Sequence, residues 1–414
     1  MKIEKLIIAP GMGGYYFDDK AAIKKGAKAD GYFITGEPIT PGHKKVRNPG
    51  RTISIILQLD SGDVAIGSCV AGQYSANVGR DPVLSPEIYI PIIERDVRPL
   101  FEGREITTFR EVAEWFDTYI INGKQFHTAI RYGVSQALLA AIAIKDKVTM
   151  AEVVAKEYGL VVSDKMIPIL AQSSDNRYDN ADKMIIKSIP VIPQGLFNTV
   201  EKVGKDGEKM VEYLKWLVNR VKTFGEPDYF PTIHLDVYGI PGDIFGNDMK
   251  KLAQYFARME KLAAPYTLGF ECPVDLNNRQ DTMEKMIELM AELNAIDSKV
   301  YICADDWCNT LEDCKYFSDH KAADMIQVKT IDLGSIGNSI EAAVYCKSKG
   351  IKAFMGGTCN GTDYSTRVTV NAAMASRSDM VYNKPGMGVD EGYMIVHNEM
   401  QNILAMLHAK NYWK

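Results

Sequence analysis

Three carboxylates stand at nearly equal intervals in the second half of the sequence. Asp236, Glu271 and Asp305 each end a short apolar run, and they lie 35 and 34 residues apart. A fourth run, residues 325–329, ends in Lys329. An interval of about 30 residues is one strand, one helix and two loops, the repeat of a parallel α/β barrel. Chemistry in such barrels sits at the carboxyl ends of the strands, so acids at three consecutive ends converge on one point. They make a hard oxygen site that suits magnesium. Asp306 competes with Asp305 for the third position, because alternation along a strand turns only one of them inward. A lysine desolvated beside a cation has a lowered pKa and serves as a base at neutral pH. Gln172, Gln327, Thr358 and Cys359 end neighbouring runs as neutral donors, which suits an anionic substrate.

The elements that must position these residues are legible as alternating short apolar runs and amphipathic helices from residue 166 onward. Residues 166–171 read as the first strand, and 183–192 contain the second. Runs at 233–236, 267–271, 300–305, 325–329, 352–359 and 380–384 supply six more. Helices are expected at 209–224, 279–293, 310–318, 336–349 and 365–376. In the first of these, Met210, Leu214, Leu217, Val218 and Val221 share one face. A helix between successive strands predicts a parallel barrel. The earlier part differs. Two β-branched runs, 51–59 and 62–70, join through Asp60-Ser61-Gly62, a hairpin signal. Helical patterns follow at 106–116 and 127–144, and a capping box at Thr149 and Glu152 opens another that runs to about Tyr158. The expected organisation is an N-terminal α+β domain over residues 1–160 and a C-terminal barrel over 161–414.

A chain of 414 residues with 46% hydrophobic residues is long enough for two such domains. Its net charge of −5, without basic blocks, speaks against nucleic acid or an anionic membrane as partner. No apolar run reaches the ~20 residues of a membrane span, and the N-terminus lacks the pattern of a signal peptide. Seven scattered cysteines read as reduced thiols of a cytoplasmic protein. Cys303, Cys308 and Cys314 lack the second tight pair that a zinc site needs.

Several longer stretches carry a resemblance. They are Gln172-Ser-Ser-Asp-Asn-Arg-Tyr-Asp-Asn-Ala-Asp-Lys-Met-Ile-Ile-Lys187, His234-Leu-Asp-Val-Tyr-Gly239, Ala304-Asp-Asp-Trp-Cys-Asn-Thr310, Gln327-Val-Lys-Thr330, Gly356-Gly-Thr-Cys-Asn360 and Lys384-Pro-Gly-Met-Gly-Val-Asp-Glu-Gly392. Tyr16-Phe-Asp-Asp19, Gln73-Tyr-Ser75, Gly79-Arg-Asp-Pro82 and His127-Thr-Ala-Ile-Arg-Tyr-Gly133 extend it to nearly the whole chain. Together they resemble the methylaspartate ammonia-lyases of the enolase superfamily. The resemblance implies a modified TIM barrel under an N-terminal capping domain, a homodimer, and Mg2+ held by Asp236, Glu271 and Asp305, with a monovalent cation such as K+ also allowed. It implies removal of the C3 proton of (2S,3S)-3-methylaspartate by Lys329, a metal-stabilised aci-carboxylate, and loss of ammonia to give mesaconate. Gln172, Gln327, Thr358 and Cys359 would bind substrate, with Gln73 from the capping domain.

Three departures bear on substrate and stereochemistry. Gln194 stands where the family carries a histidine, the second base, and an amide cannot take that proton. Tyr382 stands where a smaller aliphatic residue lines the substrate's alkyl group. Cys272 replaces a glycine after Glu271. Another superfamily lyase or dehydratase acting on a related carboxylate is the nearest alternative. A class I aldolase using Lys329 would leave the three acids unexplained, and a non-catalytic relative would have no use for both acids and base.

Overall fold

The computed structural model describes residues 1–386 and 388–413; Met387, inside the motif from Lys384 to Gly392, and Lys414 lie outside them. The chain opens with a strand of 16 residues, Ile3–Asp18 (β1), that the sequence pattern did not disclose. It pairs antiparallel with Arg47–Leu59 (β2), which pairs in turn with Val64–Cys69 (β3), the expected hairpin. Ile53, Ile55, Leu57 and Leu59 alternate inward along β2. Helix Thr128–Asp146 packs on this sheet and is buried on nearly all sides, as a helix lying between two layers must be. Helices Phe109–Asp117 and Met150–Tyr158 flank it, the second opening with both bonds of the expected Thr149–Glu152 box.

Eight parallel strands then close a barrel. They are Ile169–Leu170 (β4), Val191–Leu196 (β5), Thr232–Asp236 (β6), Leu268–Glu271 (β7), Tyr301–Ala304 (β8), Met325–Lys329 (β9), Lys352–Gly356 (β10) and Met380–Tyr382 (β11). β4 closes the ring by pairing with both β11 and β5. A major helix follows every strand, from Arg177–Ile186 to Val389–Ala409. Leu170, Val191, Cys303, Met325, Phe354 and Met380 fill the interior below the mouth. No helix of the described residues is long and apolar enough to cross a membrane.

One expected strand needs correction. Residues 183–186 end helix Arg177–Ile186, and the second barrel strand begins at Val191. Met184 and Ile185 are apolar because they form the buried face of that helix. The shift matters, because it puts Gln194 inside a barrel strand.

The N-terminal sheet approaches its helix at glycine. A Cβ on Gly67 would lie 2.0 Å from the Gly133 carbonyl oxygen and 2.7 Å from the Ala137 nitrogen. Gly67→Ala should therefore cost about 1–3 kcal/mol, the usual penalty of overpacking. A lowered urea midpoint is the expected result; an unchanged one would show that sheet and helix separate freely.

Candidate active site

Asp236 and Glu271 end β6 and β7, and Asp305 directly follows β8. Each brings a carboxylate oxygen within 4.8 Å of the other two. Asp236 Oδ1 is buried with no hydrogen-bond partner among the described residues. Burial first, then the charges of Glu271 and Asp305, push the Asp236 carboxyl well above its ordinary value. Burial likewise pushes Asp305 up to about 7, against the pull of Lys329. Three crowded acids with an unused oxygen fit a hard divalent cation.

Asp306 is otherwise engaged. Lys20 Nζ lies 2.9 Å from its Oδ2 and Arg80 Nη2 3.1 Å from its Oδ1. Although burial works the other way, Lys20, Lys329 and Arg80 hold its carboxyl well below the usual range. Arg80 also donates through Nε to Asp332 Oδ2 at 2.7 Å. Lys20 and Arg80 come from the N-terminal part of the chain; Arg80 stands in the Gly79-Arg-Asp-Pro82 stretch, but neither residue's sequence neighbourhood discloses these partners.

Lys329 ends β9, is 2% exposed, and donates to the Asp305 carbonyl at 2.6 Å and to Asn309 Oδ1 at 2.8 Å. Its Nζ is 2.9 Å from Asp305 Oδ1. Burial lowers its pKa, whereas Asp305 and Asp306 outweigh burial and raise it; the expected lowering belongs to a lysine beside a bound cation.

Gln73, Gln194, Gln327, Thr358, Cys359 and Tyr382 line the same cavity as the acids and the lysine. Gln172 lies just behind, its amide donating to Cys359 Sγ and its Oε1 buried without a partner among the described residues. Gln73 reaches in from the N-terminal part, donating to Asp18 Oδ2 at 2.8 Å while Arg47 grips that carboxylate with two bonds of 2.7 Å. Gln327 donates to Glu271 Oε1 at 2.5 Å. Tyr382 donates its hydroxyl to Gln194 Oε1 at 2.8 Å, so the two departures touch. Gln194 Nε2 then faces the acids, 3.3 Å from Glu271 Oε2 and 3.5 Å from Asp236 Oδ2. Among the described residues, Cys303, Cys308 and Cys314 do not gather into a metal group.

Lys384, which ends the expected run 380–384 and to which the sequence assigns no role, lies just beyond β11 and is fully buried. It donates to Thr330 Oγ1 at 3.0 Å and to the Gly356 carbonyl at 3.4 Å. Burial, weakly opposed by Asp332, pulls its pKa down to about 7. A lysine depressed in the folded state binds fewer protons than the unfolded chain between that value and its ordinary one, so stability rises with pH across this window. The parent should gain stability over Lys384→Met between pH 7 and 10, by at most about 1.4 kcal/mol per pH unit. Urea unfolding of both proteins at several pH values measures this; a pH-independent difference would mean an ordinary lysine.

Residues 1–159 match the family model described as methylaspartate ammonia-lyase N-terminus, and residues 161–409 that of its C-terminus. Methylaspartate ammonia-lyase 2 of Carboxydothermus hydrogenoformans is 48% identical over 412 residues, 99% of each chain. The structure superposes on the magnesium complex of β-methylaspartase from Clostridium tetanomorphum with a TM-score of 0.95 at 48% identity, covering 99% of this chain and 100% of that one. Against the Citrobacter amalonaticus methylaspartate ammonia-lyase containing (2S,3S)-3-methylaspartic acid the TM-score is 0.97 at 44% identity, with 99% and 100% covered. Muconate lactonizing enzyme from Pseudomonas fluorescens shares the fold alone, at a TM-score of 0.61 and 17% identity over 92% of this chain and 87% of that one. The architecture is thus the modified TIM barrel of the enolase superfamily with an N-terminal α+β part, and the chain belongs to the methylaspartate ammonia-lyase family of carbon–nitrogen lyases.

Proposed function

We propose that this protein removes ammonia from (2S,3S)-3-methylaspartate to give mesaconate, with residues 1–160 capping a catalytic barrel of residues 161–414. The single observation behind this reading is the placement of the Lys329 amine 2.9 Å from Asp305 in a buried cavity where Asp236 and Glu271 converge. The Citrobacter relative, which holds that amino acid, supports the substrate. The Clostridium relative, a magnesium complex, supports the ion.

Asp236, Glu271 and Asp305 hold Mg2+. When bound, the cation supplies positive charge for the carboxylate beside C3 and draws the charge of Asp305 away from Lys329. Lys329 Nζ takes the C3 proton. The C3–H electron pair becomes the C2–C3 double bond, and the C2–N bond breaks to release ammonia. Gln172, Gln327, Thr358 and Cys359 orient the substrate's carboxylates, and Gln73 reaches it from the cap. Asn309, accepting from Lys329, aims the base. A homodimer follows from family resemblance, and seven unpaired, buried thiols support a cytoplasmic location.

Exhaustive chelation should abolish turnover. Lys329→Ala should lower it by roughly 10²–10⁴-fold, the usual contribution of a positioned acid–base group, while Mg2+ still binds. Full activity after chelation, or C3 proton exchange at the parent rate in Lys329→Ala, would sink the reading.

One observation favours a narrower substrate range than that of the relatives. The bond between Tyr382 and Gln194 puts a phenol and an amide where the family carries an aliphatic side chain and a base. With an amide in place of a base at position 194, elimination is confined to the threo diastereomer. Tyr382→Ala should relax a preference for small 3-substituents, and Gln194→His should add activity on the erythro isomer. The parent, incubated at length with mesaconate and ammonia, should accumulate one diastereomer. Steady accumulation of both would place a second base elsewhere.

A further inference from the structure

His234 stands two residues before Asp236 on β6 and is fully buried. The registers His234–Gly269 and Gly269–Tyr301 put these three residues at one level across β6, β7 and β8. Asp236 and Glu271 pair one inward level above. In the middle position a Cβ on Gly269 would lie 2.0 Å from the Tyr301 ring, so the absent side chain is what lets that ring cross β7. Its hydroxyl meets His234 Nδ1 at 2.6 Å, and His234 Nε2 meets Glu271 Oε2 at 2.7 Å. A carboxylate only accepts, so Nε2 carries the proton and Nδ1 accepts from the phenol. Gln327 holds the other oxygen of Glu271. His234, Glu271 and Cys303 also come within reach of a single ion. Hydrogen bonding accounts for that closeness, because both imidazole nitrogens are already used and a thiol kept protonated by burial is a poor ligand.

We infer that His234, locked in one tautomer by Tyr301, is the positioning residue that presents Glu271 to the divalent cation. The inference rests on the reading of Asp236, Glu271 and Asp305 as the cation's ligands. Without this relay Glu271 is free to rotate, and Gln327 and Gln194 compete for both of its oxygens. Outer partners of this kind set metal affinity, typically by about 10–100-fold.

The test is binding of Mg2+ alone, by calorimetry, and of Mn2+ alone, by electron paramagnetic resonance, to the chelator-stripped full chain without substrate. His234→Leu should bind each ion about 10–100-fold more weakly. His234→Gln, which keeps an N–H near the place of Nε2, should recover part of that loss, which a mere core filler would not. Tyr301→Phe removes one oxygen and should weaken binding about 2–10-fold, the worth of one hydrogen bond. A folded His234→Leu protein with parental affinity overturns the inference. If His234→Leu does not fold, Tyr301→Phe decides, and parental affinity there overturns it equally. Failure of the ligand reading looks different: the parent would then bind neither ion, or Asp236→Ala would bind both as the parent does.

Discussion

Five carboxylates meet at the mouth of one barrel, and the way their charge is balanced organises the rest. Asp236, Glu271, Asp305, Asp306 and Asp332 are buried or nearly so, in surroundings where like charges repel strongly. Two are neutralised from outside the barrel: Lys20 and Arg80 take Asp306, and Arg80 takes Asp332. Bonds of this kind add little net stability, since desolvation offsets the attraction. Their effect is selection. With Asp306 held by Lys20 and Arg80, residues more than 200 positions earlier, Asp305 is the one of the two adjacent aspartates that gathers with Asp236 and Glu271. Arg80 donates in addition to Asn309 Oδ1 at 3.2 Å, the atom that accepts from Lys329, so the N-terminal part helps to aim the lysine.

The strand ends that carry this charge are strained. Ser174, Tyr238, Cys272, Trp307 and Thr358 have positive φ just past the ends of β4, β6, β7, β8 and β10, and Gln194 has it within β5. None is glycine, and each such residue costs about 1–2 kcal/mol relative to ordinary backbone. Clustering at one rim of one barrel is what a site held open by its surroundings looks like. Cys272 makes the point locally. A glycine after Glu271 would take φ 51° freely, whereas the thiol is held there by burial at the cost of strain.

What the sequence disclosed and what it hid divide along one physical line. The barrel, five of its major helices and the convergence of Asp236, Glu271, Asp305 and Lys329 were legible, because strand, helix and polar end repeat at a fixed local interval, whereas helices Arg177–Ile186, Met249–Ala263 and Val389–Ala409 were not read. Residues 325–329 and 209–224 came out within a residue of their true bounds. The second strand was displaced because Met184 and Ile185, read as a strand, are a helix face against the barrel, a tertiary fact. Strand β1 was hidden because much of it is only half-buried and its glycines and proline mimic a loop. The contacts of Lys20, Arg80 and Lys384 were hidden for a stronger reason, although Arg80 and Lys384 stand in family-like stretches. A lone lysine or arginine reads as solvated surface, and only the fold brings Lys20 to an aspartate 286 positions away.

The two departures from the family pattern end as one feature. Gly356, with φ 144°, would set a Cβ 2.3 Å from that of Tyr382, so its lack of a side chain makes the room in which the phenol stands. The ring packs against Phe354 at 5.8 Å between centroids and ends on Gln194 Oε1. An imidazole at position 194 would have to share that hydroxyl, and an aliphatic residue at 382 would leave the amide oxygen buried and unsatisfied, a penalty of about 1–3 kcal/mol. The Tyr382 hydroxyl thus satisfies an amide oxygen that an aliphatic residue at 382 would leave stranded beside the acids. Fixing the amide oxygen also fixes the amide nitrogen, which is why Gln194 turns a donor toward Asp236 and Glu271 where a base would offer a lone pair. Turned this way, Gln194 presents Asp236 and Glu271 with an amide N–H, which donates a hydrogen bond and takes no proton at neutral pH.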